Sequence, residues 1–354
     1  MKQLQKDYKR IVVKIGSSLF YSRDNNLDFS AFNAVASEIA DLAKNASKEM
    51  VVVSSGAIAL GMPILGLKER PKELYMLQVA AAVGQNEVID RYRRVFRSKG
   101  CHVAQILLTR EDIKRGRHLN AQNTLNALLK YGVVPVINEN DTVSTDEIKF
   151  GDNDLLSALV SRLISADLLI ILSDVDGLLD KDKKVVRIVD QITPQIKDLA
   201  CPTDKKTCVG GMITKIEAAK ITMVSGIPCV IANGRRQNIV TAVVKEPEKY
   251  GTLFIPKGRL SEREHWIAFG TRLRGKIIVD DGAKTALLNK KSLLSVGIIA
   301  VEGNFECGDV VSVTDKRRVE FARGKARLSG KGLDKVKGIR FSKEIIHRDD
   351  MVML

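Results

Sequence analysis

Two lysines beside small residues carry the strongest chemical suggestion in this chain. Lys14 interrupts the apolar run Ile11-Val12-Val13-Lys14-Ile15 and is followed by Gly16-Ser17-Ser18, which leaves backbone amides accessible. An ammonium so placed needs an anionic partner or ligand, unless it snorkels from the end of a strand. Lys215 closes Val209-Gly210-Gly211-Met212-Ile213-Thr214-Lys215. Paired glycines at a helix start let backbone N–H groups approach a phosphate, and a lysine in the first turn can reach the same anion. A glycine-rich turn without a ligand would carry the same pattern.

Four more segments have the composition of a polar ligand site. Ser54-Ser55-Gly56-Ala57 offers a hydroxyl and exposed N–H groups to a carboxylate or phosphate, or forms only a turn. Asn138-Glu139-Asn140-Asp141 and Gly151-Asp152-Asn153-Asp154 suit an amino acid: carboxylates pair with its ammonium and amides meet its carboxylates. Asp152 or Asn153 also fits a helix cap, but capping does not account for both clusters. Ser173-Asp174 follows another apolar run.

These segments share a position in the expected architecture. Apolar runs over 10–15, 50–53, 103–108, 133–137, 168–172 and 229–232 read as strands, and helical periodicity fits 72–96, 121–129, 155–164 and 213–224 between them. Alternation of this kind predicts an α/β domain with an open, mainly parallel sheet sandwiched by helices. In such sheets ligands gather beyond the carboxyl ends of the strands, where the polar segments fall. We expect this domain over 1–256, a polar linker with the sole tryptophan, Trp266, over 257–274, and a small β-rich domain over 275–354. Short β-type runs at 277–279, 298–301, 310–313 and 319–322 predict the latter.

Composition removes several classes. With 354 residues and 45% hydrophobic residues, the chain is globular and long enough for two cores. Its polar, basic start and the lack of a long apolar run predict neither signal peptide nor membrane span, so a cytoplasmic location with no membrane partner is expected. Five scattered cysteines without a Cys-x-x-Cys pair predict neither a disulfide framework nor a zinc site, and the four histidines lack metal-ligand spacing. There is no Gly-x-x-x-x-Gly-Lys-Ser/Thr, and no Gly-x-Gly-x-x-Gly follows the first strand. His347-Arg348-Asp349 imitates a protein-kinase catalytic loop without its downstream partners and reads as surface. The net charge is +15; residues 272–354 hold 18 Lys/Arg against 11 Asp/Glu, so the tail is the more basic part per residue. A solvated surface and an anionic partner both fit that tail.

Taken in order, the six segments resemble the amino acid kinase family, and the Asn-Glu-Asn-Asp and Gly-Asp-Asn-Asp pair resembles its members that phosphorylate the γ-carboxylate of free glutamate. Residues 277–353 are similar to the pseudouridine synthase and archaeosine transglycosylase (PUA) domain. The resemblance implies ATP-dependent formation of L-glutamyl 5-phosphate, the first step of proline synthesis from glutamate. It further implies that Lys14 and Lys215 flank the transferring phosphoryl group and that Asp154 holds both. Ser55, Gly56, Ala57, Asn138, Asp141, Asp152 and Asn153 would meet glutamate. Lys14, Gly16, Ser173, Asp174 and Val209, Gly210, Gly211, Met212, Ile213, Thr214 and Lys215 would meet ATP. Mg²⁺ would be free or nucleotide-bound, with no dedicated protein site. Proline as feedback inhibitor, a homo-oligomer, a downstream glutamyl phosphate reductase and RNA at the PUA domain are the implied partners. The family usually has Gly-Thr before Gly-Gly-Met, whereas Cys208-Val209 stands here, which leaves the nucleotide contacts of that loop open.

The chemistry is compatible with these residues. A γ-carboxylate, of ordinary pKa ~4.3, is already the nucleophile at neutral pH, so no general base is required. Competing expectations are a family member acting on acetylglutamate, aspartate or UMP, an RNA-binding protein working through the basic tail, and an amino-acid sensor without turnover.

Overall fold

The computed structural model describes residues 7–22, 24, 26–109, 112–113, 118–143, 153–200, 211–256, 264, 267 and 273–353. The chain divides into two compact units, Met1–Arg259 and Leu260–Leu354.

Unit one is built on an eight-stranded sheet. Its strands are β1 (Arg10–Ile15), β2 (Glu49–Ser54), β3 (His102–Leu108), β4 (Val133–Glu139), β5 (Leu168–Ser173), β6 (Ile188–Val189), β7 (Cys229–Asn233) and β8 (Thr252–Phe254), in the order β3-β4-β2-β1-β5-β7-β8-β6. The pairs from β3 through to β7 are parallel, and only β7 with β8 is antiparallel. Helices α1 (Ser30–Asn45), α2 (Ala57–Ile64), α3 (Leu74–Ser98), α4 (His118–Lys130), α5 (Asn153–Leu163), α6 (Pro194–Asp198), α7 (Met212–Val224) and α8 (Ile239–Lys245) connect and flank these strands.

Both faces of the central strands are covered, which is why β1, β2 and β5 are continuous apolar runs rather than alternating ones. Ile11, Val13 and Ile15 join one core with Phe32 and Val35 of α1 and Leu77 and Val88 of α3. Val12 joins the other, with Leu156 and Leu159 of α5 and Ile216 and Ala219 of α7. Side chains alternate with period two, so Lys14 shares the face of Val12 and points toward α5 and α7. By the same parity Asn138 shares the face of Val134 and Val136, which is the α3 side.

Two local devices hold α2 in place. Gly61 and Gly84 allow a very close crossing of α2 and α3: a Cβ on Gly61 would fall 1.9 Å from the Ala80 carbonyl oxygen, and one on Gly84 1.9 Å from that of Ala57. Pro63 inside α2 cannot donate to the carbonyl four residues back, and the Tyr21 hydroxyl donates to that Ala59 oxygen at 2.9 Å instead.

Unit two carries β9 (Gly275–Val279), β10 (Ile298–Gly303), β11 (Val310–Thr314), β12 (Glu320–Lys325) and β13 (Met351–Met353), ordered β10-β9-β11-β12-β13. Its core, with Ile277, Phe305, Val313, Leu333 and Ile346, is its own. The strand expected at 319–322 is displaced to Glu320–Lys325, with a register shift against β11 at Val313 and Thr314. Most of 257–274, Trp266 included, lies outside the described residues. Among the described residues, no helix is long and apolar enough to cross a membrane.

Candidate active site

The chemistry-bearing residues converge at the carboxyl ends of β1, β2, β4 and β5, where the strand order reverses around β1. Lys14, the penultimate residue of β1, places its Nζ 2.6 Å from Asp154 Oδ1. Lys215 reaches the same carboxylate from the first turn of α7, with Nζ 3.1 Å from Oδ2. Thr214 Oγ1 also donates to Oδ2, at 2.7 Å. Lys14 is 5% exposed, Asp154 3% and Lys215 7%, so two cations and one anion are withdrawn from water together.

That stoichiometry sets the electrostatics. Burial alone would raise the Asp154 pKa, but Lys14 and Lys215 outweigh it and bring the carboxyl down to about 2. For Lys215 the balance goes the other way: burial lowers its pKa, Asp154 opposes this, and Lys14 adds repulsion. Within this triad one carboxylate faces two ammoniums, and the excess positive charge is offset only in part by Asp174, which also acts on Lys215. A buried excess charge is costly until an anion arrives.

A chain of amides lies beside this triad. Asn138 Nδ2 donates to Gln85 Oε1 on α3 at 2.7 Å, and its Oδ1 accepts from the Glu139 backbone N–H at 2.9 Å. Asn153 Nδ2 donates to Asn138 Oδ1 at 3.1 Å and to Ser55 Oγ at 3.2 Å. Asn153 Oδ1 is buried and has no partner among the described residues. Asp141 lies just beyond β4, its pKa raised to about 6 by burial against the opposing charge of Arg70.

The small residues follow from close approach. Gly56 adopts φ +103°, a left-handed conformation, and a Cβ there would strike the Phe20 ring at 2.5 Å. Ser54 is fixed from below by the buried Tyr92 hydroxyl, which donates to its Oγ at 3.1 Å. The Gly16 N–H donates to the Leu172 carbonyl oxygen at 3.1 Å, tying the end of β1 to β5. Gly211 precedes α7 with φ +82°, again a conformation suited to glycine. At the end of β5, Ser173 Oγ donates to Asp174 Oδ1 at 3.0 Å.

Of the expected site residues, Lys14, Gly16, Ser55, Gly56, Ala57, Asn138, Asp141, Asn153, Asp154, Ser173, Asp174, Gly211, Met212, Ile213, Thr214 and Lys215 fall within the described residues, at these strand ends and helix starts. Asp152, Val209 and Gly210, with Gly151 and Cys208, lie outside them. Gln85 went unrecognised in the sequence. Its one signal is a polar side chain on α3 between the buried Ala81, Gly84 and Val88.

An open α/β sheet with two buried lysines and one shared carboxylate at its switch point suits the class of kinases. The chain belongs to the amino acid kinase family. The model of that family matches residues 9–233, and the PUA domain matches residues 275–348. The chain is 44% identical to the glutamate 5-kinase of Caldanaerobacter subterraneus subsp. tengcongensis, with 98% of each chain covered. It is 43% identical to those of Pelobacter propionicus and Geobacter sulfurreducens, covering 100% and 98% of each pair respectively.

Proposed function

We propose that this chain is the kinase that moves the γ-phosphoryl group of ATP onto the side-chain carboxylate of free glutamate, giving L-glutamyl 5-phosphate for proline synthesis. The observation that carries this reading is the pair of buried lysines sharing Asp154. In this reading Lys14 and Lys215 bracket the transferring phosphoryl group and draw its negative charge toward the site's excess positive charge. Asp154 keeps the two ammoniums apart and aimed, and Thr214 fixes the carboxylate that does so. Ser55, Gly56, Ala57, Asn138, Asp141, Asp152 and Asn153 form the glutamate pocket, in which Asn153 Oδ1 and Asp141 meet the α-ammonium. Gly16, Ser173, Asp174 and the segment 209–215 receive the nucleotide.

Mg²⁺ is proposed to enter on the phosphates of ATP, where it supplies charge neutralisation. The donor set fits that arrangement: the central carboxylate is already engaged by both lysines and by Thr214, which leaves ammoniums, amides and hydroxyls for phosphate oxygens. The glutamate carboxylate needs no deprotonation near neutral pH, so the protein's work is alignment of two anions and exclusion of water.

A coupled ADP-release assay across glutamate, N-acetylglutamate, aspartate and UMP tests the proposal. Turnover with glutamate alone is expected; preference for any of the others would replace it. In the cytoplasm, feedback inhibition by proline, assembly into a homo-oligomer and handover to a glutamyl phosphate reductase complete the proposal. The first is checked by glutamate saturation curves with and without proline.

A second reading concerns unit two. A groove of about 720 Å³ on it is lined in part by Lys290, Lys291, His347 and Arg348, which suits structured RNA as a side activity beside the kinase.

A further inference from the structure

We propose that Gln85 is a positioning residue that holds the Asn138 amide in place and so steadies the donor and acceptor polarity with which the amino-acid pocket selects a ligand with a free ammonium. The inference rests on the glutamate reading above and adds a residue and a selection rule to it.

The polarity can be worked out from one unambiguous donor. The backbone N–H of Glu139 can only donate, so the Asn138 atom 2.9 Å from it is the carbonyl oxygen. The NH₂ of Asn138 therefore faces Gln85, and the Gln85 atom 2.7 Å away must be the acceptor Oε1. Asn138 Oδ1 takes its second hydrogen bond from Asn153, which must present NH₂ to it at 3.1 Å. That leaves Asn153 Oδ1 as a buried acceptor with no partner among the described residues. Ser55 Oγ accepts from the same NH₂ at 3.2 Å, so its own proton is available to donate elsewhere. The pocket thus offers an acceptor to an ammonium and a hydroxyl donor to a carboxylate, the two ends of a free α-amino acid.

Gln85 is the far end of this chain and does not depend on the ligand for its place. It follows Gly84, whose backbone packs against the Ala57 carbonyl at the tight crossing of α2 and α3. That crossing also fixes the start of α2 and hence the Ser55-Gly56-Ala57 loop. Without an acceptor at position 85, the Asn138 NH₂ loses its partner and its amide plane is held from one side only. The Glu139 N–H still sets which end of Asn138 is the oxygen, but the amide can tilt, and Asn153, which follows it through Oδ1, holds its own oxygen on the ammonium less tightly.

The test uses the full-length protein with three variants: Gln85→Met, which keeps length but offers only a weak sulfur acceptor, Gln85→Glu, which keeps an acceptor, and Gln85→Ala. For Gln85→Met and Gln85→Ala, KM for glutamate is expected to rise about tenfold while kcat and KM for ATP change less than about threefold. The ratio of kcat/KM for glutamate to that for glutarate, which lacks the ammonium, is expected to shrink by a similar factor. Gln85→Glu is expected to restore both. A merely structural role would lower activity on both acids in proportion, together with Tm, and Glu would not rescue it. Equal losses on glutamate and glutarate, an unchanged glutamate KM, or failure of the Glu variant would each overturn the inference. A wild-type protein inert toward glutamate would overturn it together with the proposed function, whereas a competent wild type with a silent Gln85→Met overturns the inference alone.

Discussion

At the scale of the residue, the decisive quantity is the charge imbalance of Lys14, Asp154 and Lys215. Lys14→Ala and Lys215→Ala are each expected to lower kcat by roughly a hundredfold or more in a steady-state assay, as loss of an electrostatic donor to a transition state does. Asp154 contributes stability in the opposite pH range from a raised group. Its folded pKa lies below the unfolded value, so its contribution is present above about pH 4 and is lost as pH falls toward about 2. Asp154→Asn is expected to remove that acid-dependent loss from an unfolding titration and to cost about 3–5 kcal/mol at neutral pH, because it strands two buried ammoniums. Asp141 behaves conversely. Its raised pKa makes ionisation cost the ligand-free fold stability as pH rises toward about 6, a cost that a bound ammonium offsets. In our proposal kcat/KM for glutamate therefore falls about tenfold per pH unit below about 6, and Asp141→Asn flattens that limb. The lysines and the Asn and Asp clusters were legible in the sequence because each breaks an apolar run or crowds a loop. Gln85 was not, since a lone polar residue on a helix shows its partner only once the helix is placed.

At the scale of the element, the site depends on how α2 and α3 cross. Gly84→Ala would put a methyl carbon against a backbone oxygen, which no rotamer can relieve. The helices must separate, at a cost of about 1–3 kcal/mol and a fall in Tm of several degrees. Because the same crossing carries Ser55 and Gln85, KM for glutamate should rise in the variant, and calorimetry beside kinetics checks both. The main strands and the long helices stood out in the sequence because their periodicities are long and clean. Helix α2 did not, since Gly61 and Pro63 in so short a span leave no clean period. Its existence follows from tertiary contacts, the α3 crossing and the Tyr21 hydroxyl that satisfies the carbonyl freed by Pro63. The two-residue β6 and the three-residue β8 and β13 were likewise missed, since so few residues give no period to read.

At the scale of the whole molecule, two units with separate cores account for the basic tail without assigning it to the phosphoryl chemistry. The groove whose lining sets Lys290, Lys291, His347 and Arg348 beside Asp280 and Glu344, in the more basic part of the chain, predicts that residues 272–354 supply most of any RNA retention by the chain. That retention should fall steeply between about 50 and 200 mM salt in a filter-binding assay. Loss of the Lys290 and Lys291 charges by substitution to Gln should weaken it while leaving glutamate turnover unchanged. Sequence legibility was poorer here, because in this β-rich unit the strands are short and β12 runs on through Arg323, Gly324 and Lys325, which no apolar pattern marks.

The position of β1 has a consequence for synthesis. It precedes the other described strands in the chain, yet it lies inside the sheet, between β2 and β5. After Ile15 leaves the ribosome, well over a hundred residues must follow before Leu168 begins the strand that covers its second edge. At about 5–20 residues per second that edge waits on the order of ten seconds or longer, apolar and unpaired. Lys14 waits as well, since Asp154 is made only shortly before that strand and Lys215 after it. Translation speed thus sets how long one half-finished strand stays uncovered, and the contacts among Lys14, Asp154 and Lys215 cannot all form until α7 has emerged.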